Sequence, residues 1–195
     1  MKKPFYPPEP PTAGAATCDR IYPYIVTADY PIDGADANSG LAYPLGQGRY
    51  VTLVYATDGL VRNVREADLL GEMLSPEQAH AKARDNLQKF FDSGEIESEV
   101  LPGPRDARFV RLIGHWLASA CGLLPELFTF AAKNLQTEAL LVCMPHRDAL
   151  YVFPAGDAEL QAEMAALIRD ESEVARKLLS FEAFSFPRGG LGHVE

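Results

Sequence analysis

The chain has 195 residues, 47% of them hydrophobic and 23% charged, with a net charge of −9 and an isoelectric point near 4.9. That length suits one compact domain with, at most, an arm attached. The acidity is shared between residues 1–98 (nine cationic against 14 acidic) and residues 99–195 (nine against 13), so neither half offers the Lys/Arg footprint required by a nucleic-acid backbone or an anionic membrane.

Residues 1–19 open with five prolines in eleven positions and read as an extended polyproline or disordered arm, with Pro7-Pro8-Glu9-Pro10-Pro11 as a ligand for a proline-reading groove or simply as chain lying on its own domain. No apolar run follows Lys2-Lys3, so the reading is of an unexported protein. Cys18, Cys121 and Cys143 are odd in number and far apart, which fits a reducing cytoplasm rather than a disulfide framework. Residues 20–48, rich in Pro, Gly, Asp and Tyr, look irregular. Arg49 to Ala56 is a strand, Asp58-Gly59 a hairpin turn and Leu60 to Val64 the return strand.

Ser75 to Gly94 is the best helix: Ser75 caps it, Pro76 takes the first turn, Gln78 closes a capping box and Gly94 ends it. Residues 96–114 read as two strands around a Pro-Gly turn. Residues 115–135 look helical, with a break or kink at Pro125. A second hairpin occupies residues 139–153. A long helix capped by Asp157 then runs to Leu179, with Leu160, Met164, Leu167, Val174 and Leu178 on one face. Phe181 to Phe186 is a last strand, and residues 188–195 a loose tail. Hairpins with helices between them predict an α+β fold, a largely antiparallel sheet packed against two to four helices, in a single domain over residues 20–187.

Within the second hairpin stands His146-Arg147-Asp148, the tripeptide that opens a kinase catalytic loop. That loop needs Asn five residues after the Asp, and here the position is Phe153. No phosphate-covering loop or Asp-Phe-Gly accompanies it; Gly46-Gln47-Gly48 leads into a strand and so fails as a dinucleotide fingerprint. The flanking apolar runs make residues 145–148 a strand turn, with Pro145 at its second position and Asp148 bonding backbone. The alternative makes the turn part of a binding site in which Arg147 grips a carboxylate or phosphate.

Stretches on both sides of this turn resemble the YtpQ-like family, an uncharacterised group of bacterial proteins. Leu140 to Phe153 matches its apolar strand, Pro-x-Arg-Asp and second strand, through Pro145, Arg147 and Asp148. Ala118 to Phe128 matches its Leu-Leu-Pro-Glu-Leu helix through Leu124, Pro125 and Glu126, although Gly122 interrupts a usual leucine run. Arg49 to Val64, followed by a helix with Ala83 to Leu87, matches its first half. The resemblance implies organisation over residues 45–186 and no activity.

The remaining chemistry is sparse. Four histidines are scattered; Cys143-x-x-His146 is their closest pairing with a cysteine, and no metal site or cofactor is expected. His115, opening a helix, is either a neutral base or a capping residue. Arg105, Arg108 and Arg111 form either an anion site or a solvated face. Cys121 and Cys143 read as inert core thiols. The leading expectation is a non-catalytic cytoplasmic module binding a protein partner or a second copy, with Phe181 to Phe186 as an edge available for pairing. The alternatives are a binder of small anions using Arg147, Arg111, Asp148 and His115, or an enzyme with His115 or His146 as base and Asp148 as orienter.

Overall fold

The β-branched and aromatic run Arg49–Thr57 forms strand β3, buried on both faces from Val51 to Tyr55, as suits the middle of a sheet. This computed structural model describes residues 18–30, 41–57, 60–172 and 178–192. One side of β3 pairs with β1 (Ile21–Thr27). Its other side pairs first with β2 (Ala42–Gly46) and then with β4 (Leu60–Asn63), all antiparallel. The pairing Thr57↔Leu60 closes a hairpin as expected, while Asp58-Gly59 lies outside the described residues, as does the proline-rich segment 1–17.

The stretch read as irregular therefore holds two strands. Pro23 sits inside β1 without disrupting it because β1 has β3 on one side and no described strand on the other; an outer strand tolerates a missing donor.

A second antiparallel sheet runs in the order β5 (Ser98–Pro102), β6 (Arg108–Ile113), β8 (Ala149–Pro154), β7 (Leu140–His146), β9 (Ala183–Ser185). The fold is α+β with hairpin-built antiparallel sheets, two in number where one was expected.

Helix α1 (Glu66–Gly71) is too short for its periodicity to be read from sequence. Helix α2 (Pro76–Asp92) begins with the expected capping box: Ser75 Oγ accepts from the Gln78 N–H, and Gln78 Oε1 from the Ser75 N–H. Helix α3 (Pro125–Leu135) begins at Pro125 rather than kinking there. Leu124 is extended (φ −94°, ψ 125°), as the residue before a proline prefers, and Ser119–Leu123 is a short 3₁₀ segment.

Helix α4 (Ala158–Ser172) is capped by Asp157, whose Oδ1 accepts from the Leu160 N–H at 2.8 Å. It does not extend to Leu179. Val174 lies outside the described residues, and Leu178 is in an extended bridge opposite His146. The tail expected to be loose is packed as far as Gly192: the Leu191 N–H bonds the Gly122 carbonyl at 2.8 Å. Gly190, at φ +80°, lies so close to the Leu123 carbonyl that any Cβ there would collide with it.

Among the described residues, three apolar clusters hold these layers. The largest joins both sheets through Tyr24, Val26 and Val54 on one and Leu112, Val142 and Val152 on the other, with α3 contributing Leu127 and Phe128. The far face of the first sheet packs on α1 and α2 through Leu53, Tyr55, Leu69 and Ala79. The far face of the second packs on α4 through Phe109, Phe153, Met164 and Ile168. No helix of the described residues is long and apolar enough to cross a membrane.

Asn86, buried on α2, donates from Nδ2 to the carbonyls of Cys18 and Ile21, both at 3.0 Å, and so ties the start of the chain's described part to α2. Asn86→Ala strands two carbonyls in a dry place. It should lower unfolding free energy by about 1–3 kcal/mol, read as a fall in the urea midpoint at unchanged slope.

Candidate functional site

Strands β7 and β8 meet in the pair His146↔Ala149, which leaves Arg147 and Asp148 as the two turn residues. The chain does reverse here, but Pro145 is not the second turn position. The register slips between Cys143 and His146, and Pro145 occupies that bulge, where its missing N–H is not needed. Its carbonyl accepts from the Leu179 N–H at 2.7 Å.

Both carbonyls of the turn are used. The Arg147 carbonyl accepts from the Ser119 N–H at 3.0 Å and the Asp148 carbonyl from the Gly114 N–H at 2.9 Å. The Arg147 side chain crosses to the other sheet. Its Nη1 donates to the Tyr24 hydroxyl at 3.0 Å, and its guanidinium carbon lies 4.8 Å from the ring centres of both Tyr24 and Tyr30. Burial raises the Tyr24 pKa, and the arginine opposes that rise. With its cation seated on aromatic faces and Nη1 on the Tyr24 hydroxyl, Arg147 keeps Nε as a buried donor with no partner among the described residues, and that atom is closed to solvent.

His146 and Asp148 face the opposite way and touch through Nδ1 and Oδ1. They border a shallow cavity of about 260 Å³ together with Arg111, Tyr151 and Glu171. Arg111 donates to Glu99 (2.7 Å) and Glu171 (3.0 Å). Burial works against its charge, yet these two carboxylates outweigh it and raise its pKa. Burial, reinforced by the 2.8 Å bond to Glu171, pushes the Tyr151 hydroxyl far above the ordinary phenol range. The cavity thus pairs an imidazole with an orienting carboxylate, but its arginine is already neutralised, and among the described residues its rim carries no Ser, Thr or Cys to act as nucleophile.

His115 is not part of this group. It sits in the turn after β6 rather than at a helix start, between Phe90 and Trp116, each with ring centres at 5.9 Å. Its Nδ1 accepts from the Leu117 N–H at 3.2 Å. Burial lowers its pKa below the ordinary 6.5. Arg105 is held by Asp157, Glu159 and Glu163, and Arg108 donates to the Asn134 carbonyl. These arginines are spoken for individually and do not converge on one anion. Among the described residues, no three of His, Cys, Asp and Glu gather closely enough to hold a metal ion. Cys121 and Cys143 are buried, with thiol pKa values raised by desolvation, to about 12 for Cys143.

A second concavity escaped the reading of the sequence. It lies between α4 and the second sheet beside β9, with a volume of about 490 Å³, and its lining is mixed: apolar Leu141, Ile168 and Phe181, and polar Gln47, Gln161 and Glu182. The pattern of α4 carries a partial signal: small residues, Ala162 and Ala165, stand where large ones would fill the space.

Two outcomes test this geometry. Arg147→Met should lower stability by about 1–3 kcal/mol in chemical denaturation, through loss of the Tyr24 bond and the stacking on both rings. For His115, the unfolded chain binds the proton more tightly than the folded one. Stability therefore holds above pH 6.5 and falls as the pH drops through 6.5 toward the depressed folded value. His115→Gln should flatten that acid-side decline in pH-dependent melting relative to wild type. No family model matches the chain, and no curated protein or solved structure matches it either.

Proposed function

We propose that the protein is a non-catalytic cytoplasmic interaction module, which binds an extended segment of a partner protein along the outer edge of β9. The observation that carries this reading is the open side of β9 beside the 490 Å³ groove. Leu141↔Ser185 and Cys143↔Ala183 alternate with Val142↔Phe184 in the ladder, and the Phe186 N–H bonds the Leu140 carbonyl at 2.9 Å. By antiparallel alternation the backbone groups of Ala183 and Ser185 point outward. Both residues are exposed, and no described strand meets them. The outward groups of Ala183 and Ser185 supply hydrogen bonds, and the groove next to them supplies apolar contact through Leu141, Ile168 and Phe181 and polar contact through Gln161 and Glu182 for alternate side chains. The commitment of Arg147 to Tyr24 and Tyr30, and of Arg111 to two carboxylates, supports the non-catalytic half of the reading.

The His146–Asp148 contact favours a second reading, an enzyme with His146 as base at the 260 Å³ cavity. It has less support, since among the described residues no Ser, Thr or Cys and no cation besides the neutralised Arg111 borders that cavity. Kinship with the YtpQ-like proteins is part of the proposal; its support is the motif order in the sequence.

Panning a random-peptide display library on the full chain tests the main reading. Wild type should enrich short peptides with alternating apolar residues. Ser185→Pro removes one outward N–H and leaves the β7 ladder intact. It should keep the melting temperature and weaken the enriched peptides about tenfold or more, a loss of about 1.4 kcal/mol. No enrichment, or binding indifferent to Ser185→Pro, removes the reading.

A further inference from the structure

Arg49, the first residue of β3, is 1% exposed. Its guanidinium carbon lies 3.5 Å from the ring centre of Phe184 on β9. Nη2 donates to the side-chain oxygen of Gln47, while Nε and Nη1 have no partner among the described residues. Burial lowers its pKa to about 10, so the group is still a cation at neutral pH. A buried cation with unmet donors is costly, and such a group calls for an acceptor. Gln47 is exposed and also lines the 490 Å³ groove, so Arg49 stands one movable side chain behind the rim of that groove. An amide oxygen already occupies the place on Nη2 where a carboxylate oxygen would bind, and if Gln47 swings aside, Nη2 and Nε present a two-donor fork.

The chain's own candidate acceptor is Glu182, which is close enough to favour the charge on Arg49. No hydrogen bond or ion pair joins the two, and Glu182 is exposed.

Strand geometry separates two faces at this edge. Ala183 faces the groove and α4, while Phe184, its neighbour, faces Arg49. Arg49 sits over the middle residue of β9, not over its end. We infer that Arg49 sets the specificity of this edge, by receiving the side-chain carboxylate of an aspartate or glutamate in the docked segment. This inference rests on the strand-addition reading and deepens it. Residues of the segment facing the groove are apolar, and a neighbour one position away, facing Arg49, is acidic. An acid fits better than a neutral side chain because it supplies both charge and two acceptor oxygens to a site that water does not reach.

The test is the same display library panned in parallel on the full wild-type chain, Arg49→Met, Arg49→Lys and Ser185→Pro. Wild type should enrich an Asp or Glu at one fixed position next to apolar residues. Arg49→Met should lose that acid preference at least tenfold and keep the apolar one; Arg49→Lys, which keeps charge but not the fork, should fall between, and it serves alone if Arg49→Met does not fold. Peptides that depend on the β9 edge but show no acid preference, or the same preference on Arg49→Met, overturn the role of Arg49 and leave strand addition standing. No edge-dependent peptide at all overturns both. Thermal melting of Glu182→Gln is the structural control. A shift within about 2 °C is expected. A fall as large as that of Arg49→Met, or of Arg49→Lys where that variant stands in, identifies Glu182 as the partner of Arg49 in solution and overturns the inference.

Discussion

The guanidinium of Arg147, carried on a turn of the second sheet and laid against Tyr24 of the first and Tyr30 in the turn that follows β1, is the contact on which the relation between the sheets depends. Apolar burial in the shared core is larger in total but non-directional. The arginine adds direction: a hydrogen bond to the Tyr24 hydroxyl and stacking on Tyr24 and Tyr30 set where β7 and β8 end relative to β1. The same two turn residues hold the chain that leaves β6, through the carbonyls that receive Gly114 and Ser119. That crossing segment brings Trp116 against Tyr22 and Tyr24 at ring distances of 5.7 and 6.1 Å. One tight turn therefore fixes the second sheet's hairpin, the path into α3 and the approach of the first sheet. A turn with so many backbone and side-chain obligations has little freedom to rearrange around a substrate.

Much of this frame was legible. The hairpin at 140–154 is visible because two apolar runs flank a short polar stretch, and α2 is visible because Ser75, Pro76 and Gln78 state its start chemically. What hid β1 was Pro23. The rule that proline interrupts strands holds for paired interior positions, and β1 is an outer strand, a fact set by tertiary arrangement. The segment 115–124 misled in the opposite way. Trp116, Ala120 and Leu124 have helical spacing, but Pro125 forces Leu124 into extended geometry, so the chain makes 3₁₀ turns first and starts its helix afterward. The end of α4 could not be read because Leu178 continues the helical apolar spacing, yet it stands in a bridge opposite His146.

The site was legible only in part. Sequence neighbours His146, Arg147 and Asp148 point to two different sides of the sheet, as adjacent positions must near a strand turn. His146 and Asp148 reach the small cavity, while Arg147 reaches the tyrosines. Arg111 does reach that cavity, but with two acids attached, which depends on Glu99 from the neighbouring strand and Glu171 from α4. Neither partner can be guessed from spacing. Arg49 gave no warning. A charged residue at a strand start reads as exposed. The only clue lay in its face, shared with the buried Val51, Leu53 and Tyr55, and burial of Thr52 and Val54 on the other face blurs that alternation.

Three arginines of the sheet frame can be compared directly. This chain has an acidic excess, 27 Asp and Glu against 18 Lys and Arg, so a cation should find a carboxylate with ease. Arg111, partly exposed, has two. Arg147 has none and instead has two tyrosine rings and a hydroxyl that cover its charge. Arg49 is the most buried of the three, and it has one ring and one amide oxygen. Arg49 combines the deepest burial of the three with the least compensation, its Nε and Nη1 both lacking a partner among the described residues. A position that holds a dry, under-compensated cation beside an open strand edge is best explained by an acceptor that arrives from outside the fold.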